Sequence, residues 1–261
     1  MSETQSYGDG EQPISQARRM HMNRGPQLNH RLDEFWPYVG QQYVLRFDQA
    51  QRVLGQLSPE PHKLKQPGIL SAERTRKLLR LWIDEGVLNY RAFYVGEKGI
   101  FWLTAKGYKY ANLNLRYYEP TPSQLPHLFA VNEVRFVIAG RRLKDTWRSE
   151  REVRAQQNIH LQGSEKPAHV VDAELISENG NVRAIEVELS IKSEKRLEEI
   201  MYDLAANKRY NAIWYFAPEN VYKTVSKAVL KLPSEARKRF AFYTLQGDLY
   251  TNEPRSTKQA G

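Results

Sequence analysis

The chain has 261 residues, 41% of them apolar, and no cysteine, which allows one large core or two ordinary ones and excludes disulfides, thiolate zinc sites and thiol nucleophiles. Lys and Arg outnumber Asp and Glu by 39 to 30, a formal net charge of +9 that favours polyanionic partners, nucleic acid above all. No run is long and apolar enough for a membrane span, and the first residues lack the basic start and apolar core of a signal peptide, so a cytoplasmic protein without a membrane partner is expected.

Residues 1–28 are polar, rich in Gln, Ser and Gly, and without periodic apolar positions, the composition of a disordered arm. Arg18, Arg19 and Arg24 could touch a phosphate backbone, though such an arm is more often only solvated. Three helices are expected next. The first starts at Leu32 and is interrupted by Pro37 and Gly40, and the second covers 47–54. The third has Ser71 as N-cap, Glu73 in its first turn, a buried stripe of Leu78, Leu81, Trp82 and Ile83, and Gly86 as its stop. Strands over 87–95 and 100–103, joined by a turn at 96–99, precede a short helix capped by Thr104.

Helices followed by a hairpin predict a winged helix-turn-helix domain over 29–118. In that arrangement the third helix enters the major groove of double-stranded DNA. It carries Arg74, Arg76, Lys77 and Arg80, with Lys63 and Lys65 in the loop before it and Lys98 on the wing. The plain alternative is a solvated basic face.

The Pro-rich stretch 119–126 reads as a linker, 127–250 as a second domain and 251–261 as a tail. A helix over 127–143 has Leu128, Val131, Val134, Val137 and Ile138 at helical spacing. Strands follow at 147–154, 169–176 and 182–189, then a helix at 193–207, a strand at 212–216, a helix at 221–232 and a strand at 240–245. The fold class is therefore α/β (α+β), with a central mixed sheet in the second domain. Trp214 and Phe216, flanked by Ile213 and Tyr215, belong to a continuous apolar run and read as core of a central strand, not as exposed stacking rings.

The chemistry concentrates in Val170-Val-Asp-Ala-Glu-Leu-Ile176 and Val182-Arg-Ala-Ile-Glu-Val-Glu-Leu189. Glu186 and Glu188, two apart on a strand, share a face. A two-residue turn at Asn179-Gly180 would set Asp172 opposite Val187. A three-residue turn, Glu178-Asn179-Gly180, sets it opposite Glu186 and groups Val171, Ala173, Ile185 and Val187 on the other face, and is preferred for that. Three converging carboxylates repel one another and raise their own pKa values unless a divalent cation or Lys192, Lys195 and Arg196 relieve them. The six histidines are scattered without metal-ligand spacing and read as surface or hydrogen-bonded groups.

This order of elements resembles the PD-(D/E)XK nuclease-like fold. The resemblance implies Mg²⁺ or Mn²⁺ held by Asp172 as first acid and Glu186 as second, and a Lys two residues later that helps to activate water. Glu188 stands at that position, a departure from the pattern. Lys192 could supply the ammonium from a migrated position, and Glu133 or Glu150 could complete the acid set. More of the chain, from about Arg31 to Phe216, is similar to the replication-relaxation family of plasmid and mobile-element proteins. The similarity rests on Leu103-Thr-Ala-Lys-Gly107, His127, Val131-Asn-Glu-Val134, Asp172-Ala173 and Glu186-Val-Glu-Leu-Ser-Ile-Lys192. It implies a role in plasmid replication initiation or in DNA relaxation and mobilisation, with other proteins of those processes as partners.

Three functions stay open. The first is a DNA-binding accessory protein whose nuclease-like domain lacks the full catalytic set. The second is a metal-dependent nuclease or nickase using Asp172, Glu186 and Lys192. The third is a winged-helix transcriptional repressor or antitoxin. Two-fold DNA sites would favour a homodimer, yet no heptad pattern announces one.

Overall fold

The computed structural model describes residues 29–93, 99–141, 144–160 and 169–245. The N-terminal arm, the turn expected to carry Lys98 and the tail lie outside the described residues. The chain is mixed α and β, with a three-stranded antiparallel sheet followed by a five-stranded mixed one.

Helix α1 (Asn29–Gln42) runs through Pro37 without the expected interruption. Phe35, Trp36 and Val39 are buried in the first core, which outweighs the local cost of the proline. Gly40 lets the chain close on itself, because a Cβ there would collide with Leu113. The helix gives way to Tyr43 at φ 76°, a left-handed position that glycine normally fills. A two-residue strand β1 (Leu45–Arg46), unforeseen, leads into α2 (Phe47–Gln56).

Helix α3 (Ala72–Asp84) begins at Ser71, whose hydroxyl accepts from Arg74 N at 3.3 Å. Its buried stripe is Thr75, Leu79 and Trp82, not the expected set: Leu78 and Ile83 are half-buried and Leu81 is 43% exposed. The spacing of four and three residues selects the face that reaches Phe35 and Trp36. Strand β2 (Leu88–Arg91) is shorter than expected because its partner β3 (Ile100–Leu103) begins opposite Arg91. β3 is the central strand, with β1 on its other side. Thr104 caps α4 (Ala105–Tyr110), accepting from Gly107 N at 2.9 Å.

The chain then runs extended to a 3-10 turn at Pro122–Gln124 and enters α5 (Leu125–Arg141). Strand β4 (Thr146–Ser149) stops well short of the expected Arg154, and helix α6 (Glu150–His160) starts at once. Glu152 Oε2 accepts from both Ser149 N and Ser149 Oγ at 2.8 Å, the start signal of a helix written as Ser-x-x-Glu. β5 (Ala173–Ile176), β6 (Val182–Val187), α7 (Glu194–Ala206), β7 (Ala212–Ala217), α8 (Glu219–Val229), α9 (Ser234–Arg237) and β8 (Phe240–Thr244) complete the chain.

The large sheet has the order β4-β5-β6-β7-β8, antiparallel through β6 and parallel beyond it. α7 and α8 cover one face through Leu197, Met201, Val221 and Val225, and α5 covers the other through Val131, Val134 and Ile138. β7 is thus apolar on both sides, Ile213 and Tyr215 facing α7 and α8, Trp214 and Phe216 facing α5. Phe216 is buried, while Trp214 is only half-buried, edge-on to Tyr243.

The two sheets are joined by buried polar contacts. Asn132 on α5 is fully buried; its amide nitrogen donates to Val44 O at 2.8 Å and Gln49 Oε1 at 3.0 Å, and its oxygen accepts from Gln42 at 2.8 Å. Trp147 Nε1 donates to Gln42 Oε1 at 3.0 Å. Leu125 packs with Tyr43, Val44, Ile100 and Trp102. The Pro-rich segment therefore ends in a helix that is itself anchored to the first sheet.

Candidate functional site

The turn of the β5–β6 hairpin fixes the acidic site. Ser177 N donates to Asn181 O at 3.0 Å and Gly180 N to Ser177 O at 2.8 Å, with Gly180 at φ 80°. This is the three-residue turn. The ladder pairs Ala173 with Ile185, and its extension by one residue sets Asp172 opposite Glu186. Ala173, Ile185 and Val187 share the α5 face as expected, whereas Val171, ahead of the strand, packs into the core under α7 and α8.

Asp172 Oδ2 accepts from Val187 N at 2.7 Å and Oδ1 lies 2.9 Å from His127 Nε2. Glu186 is buried, with Oε1 2.9 Å from His169 Nε2. Glu188 is buried too and forms an ion pair with Lys192. The ammonium of Lys192 therefore does reach the acidic face, but it sits on Glu188. Arg196, expected to help, pairs with Glu199 on its own helix.

Burial pushes the Glu186 carboxyl up to about 7, with the Asp172 charge adding to the rise and the His169 hydrogen bond opposing it. Burial, the largest single effect, disfavours the charged forms of His127 and His169, yet the hydrogen bonds to Asp172 and Glu186 together with the surrounding carboxylate charges outweigh it and raise both. Burial lowers Lys192, against the pull of Glu186 and Asp172. Each histidine is thus paired with its own carboxylate across a single hydrogen bond. Spacing gave no sign of them, since His127 comes from α5 and His169 from the segment before β5, and only the folded sheet brings them to their acids.

The remaining acids lie elsewhere. Glu133, expected to complete the acid set, is turned away: it pairs with Arg52 at 2.5 Å and Arg46 at 3.4 Å and accepts from Gln49 at 2.9 Å, between α5 and α2. The face of α5 that carries it meets the first sheet, not the acidic strands. Glu150 is the first residue of α6 instead of a strand residue; its N donates to Asp172 O at 2.9 Å, and its carboxylate takes Arg154 at 2.6 Å. Glu174, two residues beyond Asp172 and unnoticed in the sequence, is buried and held by Arg148 at 2.8 Å and by both Arg209 Nε at 2.6 Å and Nη2 at 2.8 Å. It is a structural clasp.

Carboxylates on adjoining strands are the donors a hard cation prefers, and Asp172 and Glu186 fit that chemistry. Among the described residues no three His, Asp or Glu side chains stand ready to hold a metal ion, and His127 and His169 are hydrogen-bonded to one oxygen each of Asp172 and Glu186. No protein-family model matches this chain, and no curated protein matches its sequence.

The basic face lies on α3. Arg74, Arg76, Lys77 and Arg80 are all exposed, and none is ion-paired among the described residues. Arg76 leans over the Phe47 ring with its guanidinium carbon 5.6 Å from the centroid. Lys65 is exposed in the loop before α3, while Lys63 pairs with Glu60 at 2.5 Å. Lys98 lies outside the described residues.

Proposed function

We propose that this chain binds double-stranded DNA through α3 and acts in replication initiation or in DNA relaxation and mobilisation of a plasmid or mobile element. The carrying observation is four exposed cations on one helix with no ion pair among the described residues, supported from behind by Trp82 against Phe35 and Trp36. Unpaired Arg and Lys release counterions when they meet phosphates, which drives binding. The order helix, strand, two helices, two strands supports a winged-helix reading in which α3 enters the major groove. The plasmid role follows from the resemblance to the replication-relaxation family. In this reading the nuclease-like half carries no full catalytic set, since Glu188 occupies the lysine position and Lys192 neutralises it.

A second function, metal-dependent cleavage, is favoured by one observation: Lys192 reaches the acidic face. Asp172 and Glu186 would hold Mg²⁺ or Mn²⁺, which would polarise a water and the scissile phosphate. Lys192 would then leave Glu188, and His127 and His169 would release the carboxylate oxygens.

Gel shifts with blunt duplex DNA separate these functions. We expect binding by the wild type with or without Mg²⁺, loss of binding when Arg74, Arg76, Lys77 and Arg80 are all replaced by Ala, and no cleavage of supercoiled, linear or single-stranded DNA. Cleavage in Mg²⁺ or Mn²⁺ that Asp172→Asn abolishes would establish the second function.

A further inference from the structure

A cleft of about 610 Å³ lies between the end of α1, the extended segment after α4 and the starts of α5 and α6, and its lining runs from Tyr118 and Arg116 to His127 and Asp172. That size suits a nucleotide-sized ligand. Its charges are unequally matched. Glu119 is paired with Arg91 at 3.8 Å, Glu150 with Arg154 at 2.6 Å, and Asp172 with His127 at 2.9 Å. Arg116 and Arg151 have no carboxylate partner among the described residues.

Arg151 is spent on the frame. It donates to Gly40 O at 2.6 Å, to Arg116 O and to the Tyr108 hydroxyl, and lies over Tyr43 with its guanidinium carbon 4.8 Å from the ring centroid. This ties the end of α1, α4 and the extended segment together, so the cleft is formed in advance and its floor is positive. Arg116 is exposed and lies over the Tyr118 ring at 5.0 Å. Tyr118 is itself 48% exposed. A half-exposed phenol ring with an exposed guanidinium over it offers an aromatic stacking surface and a phosphate donor side by side.

We propose that this cleft, whose lining includes Asp172, holds an unpaired nucleotide of DNA, its base against Tyr118 and its phosphate at Arg116. The assignment of DNA as the source rests on the function proposed above. Base-paired DNA hides its ring faces, and a free mononucleotide offers the same chemistry as an unpaired residue, so the experiment must separate the three.

Fluorescence anisotropy of the full chain should use a blunt duplex, the same duplex with a single-stranded overhang, a single-stranded oligonucleotide and free dAMP as competitor. We expect the overhang to tighten binding over the blunt duplex. Tyr118→Ala should weaken overhang binding by roughly tenfold, Arg116→Ala should weaken it as well, Tyr118→Phe should preserve it, and blunt-duplex affinity should stay constant in all three. Equal affinity of the wild type for blunt and overhang DNA would overturn the proposal. So would an equal loss on both by Tyr118→Ala, or dAMP competing as strongly as the oligonucleotide. Loss of blunt-duplex binding in the wild type, with a Tyr118-dependent overhang signal retained, would instead overturn the role of α3 and leave the cleft assignment standing.

Discussion

Glu186 carries the largest electrostatic cost of the acidic site, because it is buried between strands and, among the described residues, has only His169 bound to its carboxylate. Its raised pKa, and those of His127 and His169, have one sign: the folded state holds protons more tightly than the unfolded one. Their contribution to stability is full below the unfolded values and disappears as pH rises through the folded ones. Stability should therefore fall between about pH 4.5, the ordinary value for Glu186, and about pH 7, its folded value, and fall further as the histidines deprotonate. Urea unfolding at several pH values measures this; a Glu186→Gln variant should have a flatter profile, and an unchanged profile would contradict the assigned burial. Asp172→Asn tests the cation. If Asp172 and Glu186 hold Mg²⁺, the wild type melts higher in Mg²⁺ than in chelator and the variant does not. Identical wild-type melting curves in Mg²⁺, Mn²⁺ and chelator would end the metal and nuclease proposals together.

Among the elements, strand β7 and the β5–β6 hairpin were legible and α6 was not. β7 is a continuous apolar run, so its place between two covered faces follows from composition alone. The hairpin register followed from the parity of side chains and the left-handed glycine. The start of α6 was written as Ser149-Glu-Arg-Glu152, but the expected strand ran through it to Arg154. Glu133 failed as a site residue for another reason, since a helix position does not reveal which of two partners its face will meet. The unequal burial along β7 sets the expected effect of mutation there. Phe216→Ala should destabilise by about 3–5 kcal/mol and Trp214→Ala by less, because only Phe216 is fully packed. Equal losses in thermal unfolding would contradict the assigned packing.

At the scale of the whole molecule, the two sheets share a polar seam. Asn132 satisfies Val44, Gln49 and Gln42 at once, so Asn132→Ala strands several buried groups and should cost roughly 1–3 kcal/mol for each one left unpaired. Calorimetry should show one transition in the wild type; two well-separated transitions would mean that the seam does not couple the sheets. Coupling would let DNA held at α3 keep a fixed relation to Asp172. DNA binding by α3 would be read in the salt dependence of duplex affinity. Replacing Arg74, Arg76, Lys77 and Arg80 by Ala should weaken binding and reduce the log-log salt slope by roughly one unit for each phosphate that is no longer neutralised. Affinity and slope unchanged from the wild type would contradict it.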